Sequence, residues 1–226
     1  MSPTSTRRAQ ALALAGALVG WSFTAGLQHP WRRHPLVQAA LGTVVALSAG
    51  APLGLRPPPL HSGLRLGGAA AGVVAATVAA STALPRVRAA ISKRVLPDRV
   101  GRWLALEIPL GTVWSEETAF RGGLAVVSAA AFGTAGGRLV QATAFGLSHI
   151  PDARAGGEPV IGTVAVTGLA GWLFGWLAHR SGSLAAPMLA HLAINEAGAL
   201  AALVTQRRSG GGTLASAADR HQTANR

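Results

Sequence analysis

The chain contains no cysteine, a single lysine and few charges of either sign: charged residues make up 12% of its 226 residues. The missing cysteines exclude disulfides, iron–sulfur clusters and thiolate chemistry. The shortage of charge argues against an ordinary soluble domain, which carries about 25% charged residues. Two absent motifs narrow the chemistry. No HExxH stretch occurs, so a thermolysin-like zinc site is not indicated. No GxSxG stretch occurs either, and Ser115, Ser128 and Ser148 lack that setting. The one lysine stands against nineteen arginines in a chain rich in Ala and Gly, a bias that resembles a GC-rich bacterial genome.

What the chain does have is apolar length. Half of it is hydrophobic and its mean hydropathy is +0.37. Residues 11–27, 36–55, 66–84, 160–178 and 184–204 are nearly free of charge. Each block is close to the roughly 20 residues that cross a bilayer as a helix. A β-barrel would alternate polar and apolar residues, and these blocks do not. The expected fold is all-α: a polytopic membrane helix bundle with about seven transmembrane helices and a polar cavity inside it. The net charge of +12 does not point to nucleic acid. The arginines lie between the apolar blocks, at Arg7/Arg8, Arg32/Arg33, Arg86 to Arg102 and Arg207/Arg208, where they face membrane surface and water. The lipid bilayer is the partner this pattern implies.

Residues 1–27 carry two arginines, an apolar run and small residues, as a secretory signal does, but a first transmembrane helix fits the long run better. Residues 55–63 (LRPPPLHSG) read as a loop, since three prolines cannot continue a helix. Residues 85–102 are the longest basic stretch, as an interfacial helix or a loop. Residues 103–132 read as one long helix bent at Pro109, 133–137 (GTAGG) as a turn, and 138–149 as a further helix. Residues 149–159 read as a loop, 179–183 as a tight connection and 206–226 as a disordered polar tail. The organisation expected is thus 1–100, membrane helices and a basic loop; 101–205, a helical core; and the tail. With the basic stretch on the cytoplasmic side, the N-terminus lies outside and the C-terminus inside.

An ionisable residue inside a membrane span is a functional-site hypothesis by default. Residues 113–124 (VWSEETAFRGGL) carry Glu116, Glu117 and Arg121. On a helix, Glu117 and Arg121 are four apart and nearly aligned, with Glu first, the favourable order. Glu116 points about 100° away and has Phe120 at its own i+4 position. Glu117 can therefore be held by Arg121 while Glu116 is left to face something else, as a general base does. A buried salt-bridge cluster that fixes packing is the plainer alternative. Phe145 and His149 share one helix face in FGLSH, and so do His191 and Asn195 in APMLAHLAIN. The plainer readings there are a helix-end histidine and polar glue between helices. His179 and Arg180 sit in a predicted turn and read as surface groups. Together the first three places supply a base for water, a group to orient it and donors for an oxyanion, as peptide hydrolysis needs.

Three stretches carry a family resemblance. EETAFRG (116–122), ATAFGLSH and GSLAAPMLAHLAIN resemble, in order, the EExxxR, FxxxH and HxxxN motifs of the CAAX protease and bacteriocin-processing family, CPBP or Abi. The resemblance covers about residues 103–205. It implies an intramembrane endopeptidase similar in fold to the type II prenyl-protein endopeptidases, for which eight helices is the alternative count. It also implies roles: Glu116 would activate water with His149 as partner, His191 and Asn195 would stabilise the oxyanion, and Glu117, Arg121 and Phe145 would support the site. Members have been described as metalloproteases. No cofactor is required by these residues, and a divalent metal such as zinc would be held by Glu116, His149 and His191. The substrate implied is a membrane-associated peptide or protein, in a bacterial cytoplasmic membrane. The rival readings are a non-catalytic immunity or scaffold protein of the same fold, and a proton-coupled transporter.

Overall fold

The structure is a computed structural model and describes residues 3–27 and 29–223. The described residues form helices joined by short connections, with no strand among them. Helix α1 (Pro3–Phe23) is followed by two 3-10 turns, Thr24–Gly26 and Pro30–Arg33, and by α2 (Pro35–Ser48). Then come α3 (Pro59–Thr82), the short α4 (Pro85–Ser92) and α5 (Val100–Arg102). From α5 the chain runs on through two π-helical stretches, Trp103–Trp114 and Glu117–Leu124, into α6 (Ala125–Leu147). The bundle closes with α7 (Ile150–Gly156), α8 (Val160–Ser181) and α9 (Ala185–Thr223).

Prolines start the helices. Pro35, Pro59 and Pro85 each occupy the first turn, where a missing N–H removes no helical bond. That is why α3 begins at Pro59, inside the stretch expected to be loop. The same device puts a short helix, α7, where the sequence suggested a loop over 149–159. The expected turn at 133–137 is realised by Gly133, whose φ of 75° and ψ of 170° suit glycine and not an L side chain. There the chain doubles back. A Cβ at Gly137 would lie 2.5 Å from the backbone N of Ala129, and Phe120 meets Phe145 across the two arms at 5.2 Å.

Helices α3 and α9 start together. The Leu184 N–H donates to the Leu53 carbonyl at 2.9 Å, and Gly63 and Gly67 face Ser183 to Ala186. At its far end α9 is tied to the basic connector, where Gln206 Nε2 donates to the Arg94 carbonyl at 2.7 Å. The bundle thus has one end that gathers Gly133, Gly182 and Leu53, and another that gathers the basic stretch. Between them one core joins Ala15, Phe120, Leu124 and Phe145, and another joins Phe174, Leu177, Ala186 and Ala190.

Outside, large apolar side chains are bare: Ile161, Val166 and Leu169 on α8, Val44 and Leu47 on α2, Val73 on α3. In water such a surface would demand cover, and in a bilayer it is already in its solvent. Four stretches among the described residues are long and apolar enough to cross a membrane: Pro59–Thr82, Val100–Gly156, Val160–Ser181 and Ala185–Arg208. These describe an integral membrane protein. The expected count of about seven is not reproduced in that form. The Val100–Gly156 stretch of 57 residues is two arms joined at Gly133. Helix α2, expected over 36–55, stops at Ser48. Its 14 residues reach about 21 Å, short of the roughly 30 Å hydrocarbon core. Helix α1 is outside that set of four. The expected tail, 206–226, falls on the last turns of α9 and beyond; side chains from 209 onward lie outside the described residues.

Candidate active site

The site is built around the π-helical stretch Glu117–Leu124, which is buried along its whole length. Wide winding of this kind is rare and concentrates at functional sites. It keeps the i, i+4 pair together: Arg121 Nη1 lies 3.1 Å from Glu117 Oε1, with neither side chain exposed. The guanidinium also sits 3.8 Å from the centre of the Phe145 ring and 5.0 Å from that of Phe174. A desolvated cation over aromatic faces recovers from the ring quadrupoles part of what it loses in hydration. Gly42 of α2 allows the close approach on the other flank, since a Cβ there would lie 2.5 Å from Thr118 Oγ1.

His191 arrives from α9 and joins both carboxylates. Its Nδ1 lies 2.8 Å from Glu117 Oε1, and its Nε2 lies 3.8 Å from Glu116 Oε2. The sequence suggested that the two neighbouring carboxylates face apart. They do diverge, and the two nitrogens of one imidazole face them in turn. Phe174 of α8 stacks on that ring at 5.1 Å and 27°, which fixes its plane. Glu117 is fully buried, whereas the Glu116 side chain keeps 28% of its surface. Glu116 Oε2 is itself enclosed and has no hydrogen-bond partner among the described residues.

His149 caps the end of the α6 arm. Its Nδ1 meets the Phe145 carbonyl at 2.7 Å, which leaves Nε2 as its outward nitrogen. The Phe145 ring packs edge-on to His149 at 4.7 Å. His149 and Glu116 line one cavity of about 370 Å³, whose walls include Leu14, Leu18, Leu41 and Phe120. Trp21, Arg32 and Asp152 stand toward the basic end of that cavity. His191 and Asn195 do not line it. The Asn195 amide instead donates to the His191 carbonyl on its own helix at 3.3 Å.

The conditional metal set fares differently. Among the described residues no three His, Asp or Glu side chains are grouped to hold a metal ion. His191 Nδ1 is engaged by Glu117 and His149 Nδ1 by a carbonyl, which leaves the Nε2 of each ring as its free nitrogen. Glu116, His149 and His191 as arranged are not gathered into such a group among the described residues.

Residues 99–197 match the family model described as type II CAAX prenyl endopeptidase Rce1-like. Over this segment the chain is similar to the CAAX protease family. No curated protein and no solved structure matches the chain. The matched segment holds Glu116, Glu117, Arg121, Phe145, His149, His191 and Asn195. The matched segment begins just before α5 and ends within α9, and α1 to α4 lie before it.

Two groups near the cluster escaped the sequence reading. Phe174 is an apolar residue in an apolar span and carries no signal of its contact with His191. Gln141 did carry one: it is a lone amide in a membrane span, and it is fully buried with neither polar atom partnered among the described residues.

Proposed function

We propose that the chain is an intramembrane endopeptidase of a bacterial cytoplasmic membrane, hydrolysing a membrane-associated peptide or protein substrate. The observation that supports this reading most directly is Glu116. It is a carboxylate with an enclosed, unpartnered Oε2, on a cavity wall shared with His149 and 3.8 Å from His191 Nε2. Glu116 takes a proton from water held between it and His149. The water oxygen bonds to the scissile carbonyl carbon, the C–N bond breaks, and the proton passes to the leaving amine.

His191 is the oxyanion donor. Because Nδ1–H points at the Glu117 carboxylate, Nε2 can donate only when the ring is an imidazolium. A charged donor is roughly twice as strong as a neutral one, and it would act where negative charge develops. Glu117 and Arg121 position that ring. Asn195 adds a second donor once its amide turns from the His191 carbonyl to the substrate, since hydrogen bonds of this kind realign in the bound complex. The apolar wall of Leu14, Leu18 and Leu41 suits the apolar part of a substrate delivered from the lipid.

The test needs no prior substrate. New peptide N-termini are compared in host membranes carrying wild type or Glu116→Ala at equal abundance. Termini that vanish in the mutant support proteolysis and name the substrates. Identical profiles sink it, in favour of a non-catalytic protein of the same fold.

A further inference from the structure

A second cavity, about 280 Å³, lies toward the Gly133 end of the bundle. Arg121, Arg138, Gln141, His179 and Ser183 reach its wall, and no Asp or Glu does. Gln141 is fully buried, and neither its amide nitrogen nor its oxygen has a hydrogen-bond partner among the described residues. Arg121 is 4% exposed and ion-pairs through Nη1, yet its Nε and Nη2 have no hydrogen-bond partner among the described residues. Buried polar groups left in this way are rare and call for a partner from outside the chain. Arg138 faces the Trp172 ring at 5.5 Å and has no carboxylate within ion-pair distance among the described residues. Ser183 Oγ accepts the Ala185 N–H at 3.1 Å, so its O–H remains free to donate.

The wall therefore offers two guanidiniums, an amide N–H₂ and a hydroxyl as donors, with the Gln141 oxygen as the acceptor among them. That set matches an oxyanion that itself carries a hydroxyl. We propose that this cavity binds a phosphate group bearing or adjoining a hydroxyl, with Arg138 supplying the counter-charge, Arg121 donating through its unpartnered N–H groups, and Gln141 and Ser183 setting its orientation. Planar guanidiniums are suited to phosphate oxygens. Two sources share this chemistry. One is inorganic phosphate from water. The other is a phospholipid headgroup such as phosphatidylglycerol, met where the loops at Pro52, Thr134 and Gly182 line the opening. The inference does not rest on proteolysis: of the groups it uses, Arg121 alone also belongs to the candidate active site.

The full chain is stripped of anionic lipid and placed in phosphatidylcholine nanodiscs, and its Tm is followed. Sodium phosphate is titrated against sodium chloride at matched ionic strength, and phosphatidylglycerol is added in a separate series. A Tm rise with phosphate and not chloride identifies a free-anion site. A rise with phosphatidylglycerol alone identifies a headgroup site. In either case Arg138→Gln weakens the response about ten-fold, as loss of one charge-assisted contact should, and Gln141→Leu removes it. Arg138 is half-buried and outside the core clusters, so its variant keeps the test sound even if Gln141→Leu fails to fold. The proposal is overturned if neither additive raises Tm. It is equally overturned if Arg138→Gln responds like wild type, which would mark the effect as surface screening.

Discussion

Glu116 and Glu117 are neighbours in sequence, yet they belong to two unlike regions. Glu117, Arg121 and the Nδ1 side of His191 form a closed cluster, sealed by Phe145 and Phe174. Glu116 and His149 form an open one, on the wall of a cavity. The closed cluster pairs its carboxylate with a guanidinium and an imidazole through Glu117 Oε1. The open one has no cation as close among the described residues: its carboxylate lies 3.8 Å from the same imidazole and is partly exposed. The difference teaches how a bilayer protein can keep a reactive carboxylate. A preorganised ion pair bears the burial, and one imidazole passes its orientation to the group left free.

The comparison breaks most completely on the closed side. Glu117→Ala leaves Arg121 buried without its counter-ion, which should cost about 3–5 kcal/mol and release His191 as well. Both folded yield and Tm in detergent should fall sharply. A variant of wild-type stability would show that the cluster is not a structural anchor. On the open side the expected pattern is the reverse. Glu116→Gln keeps shape and volume, so stability should shift by less than about 1 kcal/mol. Turnover of a substrate found through new N-termini should fall on the order of 10²–10⁴-fold, the worth of a general base. Retained turnover in Glu116→Gln would move the role of base elsewhere.

Helix-face geometry within one segment was legible in the sequence, and partners across the bundle were not. The Glu117–Arg121 pair follows from spacing alone, and it survives the π-helical winding at 3.1 Å. The turn at 133–137 followed from its glycines. Span ends were harder. The stretch 49–55 is apolar, so hydropathy joined it to α2, but Gly50 and Gly54 adopt positive φ and the Leu53 carbonyl is taken by Leu184. Its backbone leaves the helix for a tertiary contact that no local pattern announces. The contact of His191 with both carboxylates joins positions 74 residues apart in the case of Glu117. Periodicity gives a direction for each side chain and says nothing of what α9 brings to meet it. The motif resemblance did not contain Phe174 or Gln141.

A subtler substitution sharpens the line between the regions. Phe174 touches His191 and Arg121 through its ring face and nothing reactive through any polar atom. Phe174→Leu keeps an apolar side chain but removes the stacking, worth about 0.5–1.5 kcal/mol. Stability should fall by about that amount, and turnover should fall by more than stability does, because the imidazole plane is no longer held. Phe174→Tyr should restore turnover if the ring face is what counts and its added hydroxyl finds room. If Phe174→Leu loses stability alone, the ring is packing and nothing more.

The smallest effect belongs to the lipid-facing surface. Ile161 on α8 is 85% exposed and contacts neither cluster. Ile161→Ala should leave turnover unchanged and move Tm by no more than about 0.5 kcal/mol would, since its environment is hydrocarbon in folded and loosened states alike. Ile161→Arg in the same place should instead lower membrane insertion, because a guanidinium in hydrocarbon costs a few kcal/mol even after snorkelling. Insertion is read by carbonate extraction of host membranes. If Ile161→Arg inserts as well as wild type, that turn of α8 lies at the headgroups or outside them, and the bilayer must be placed elsewhere along the bundle.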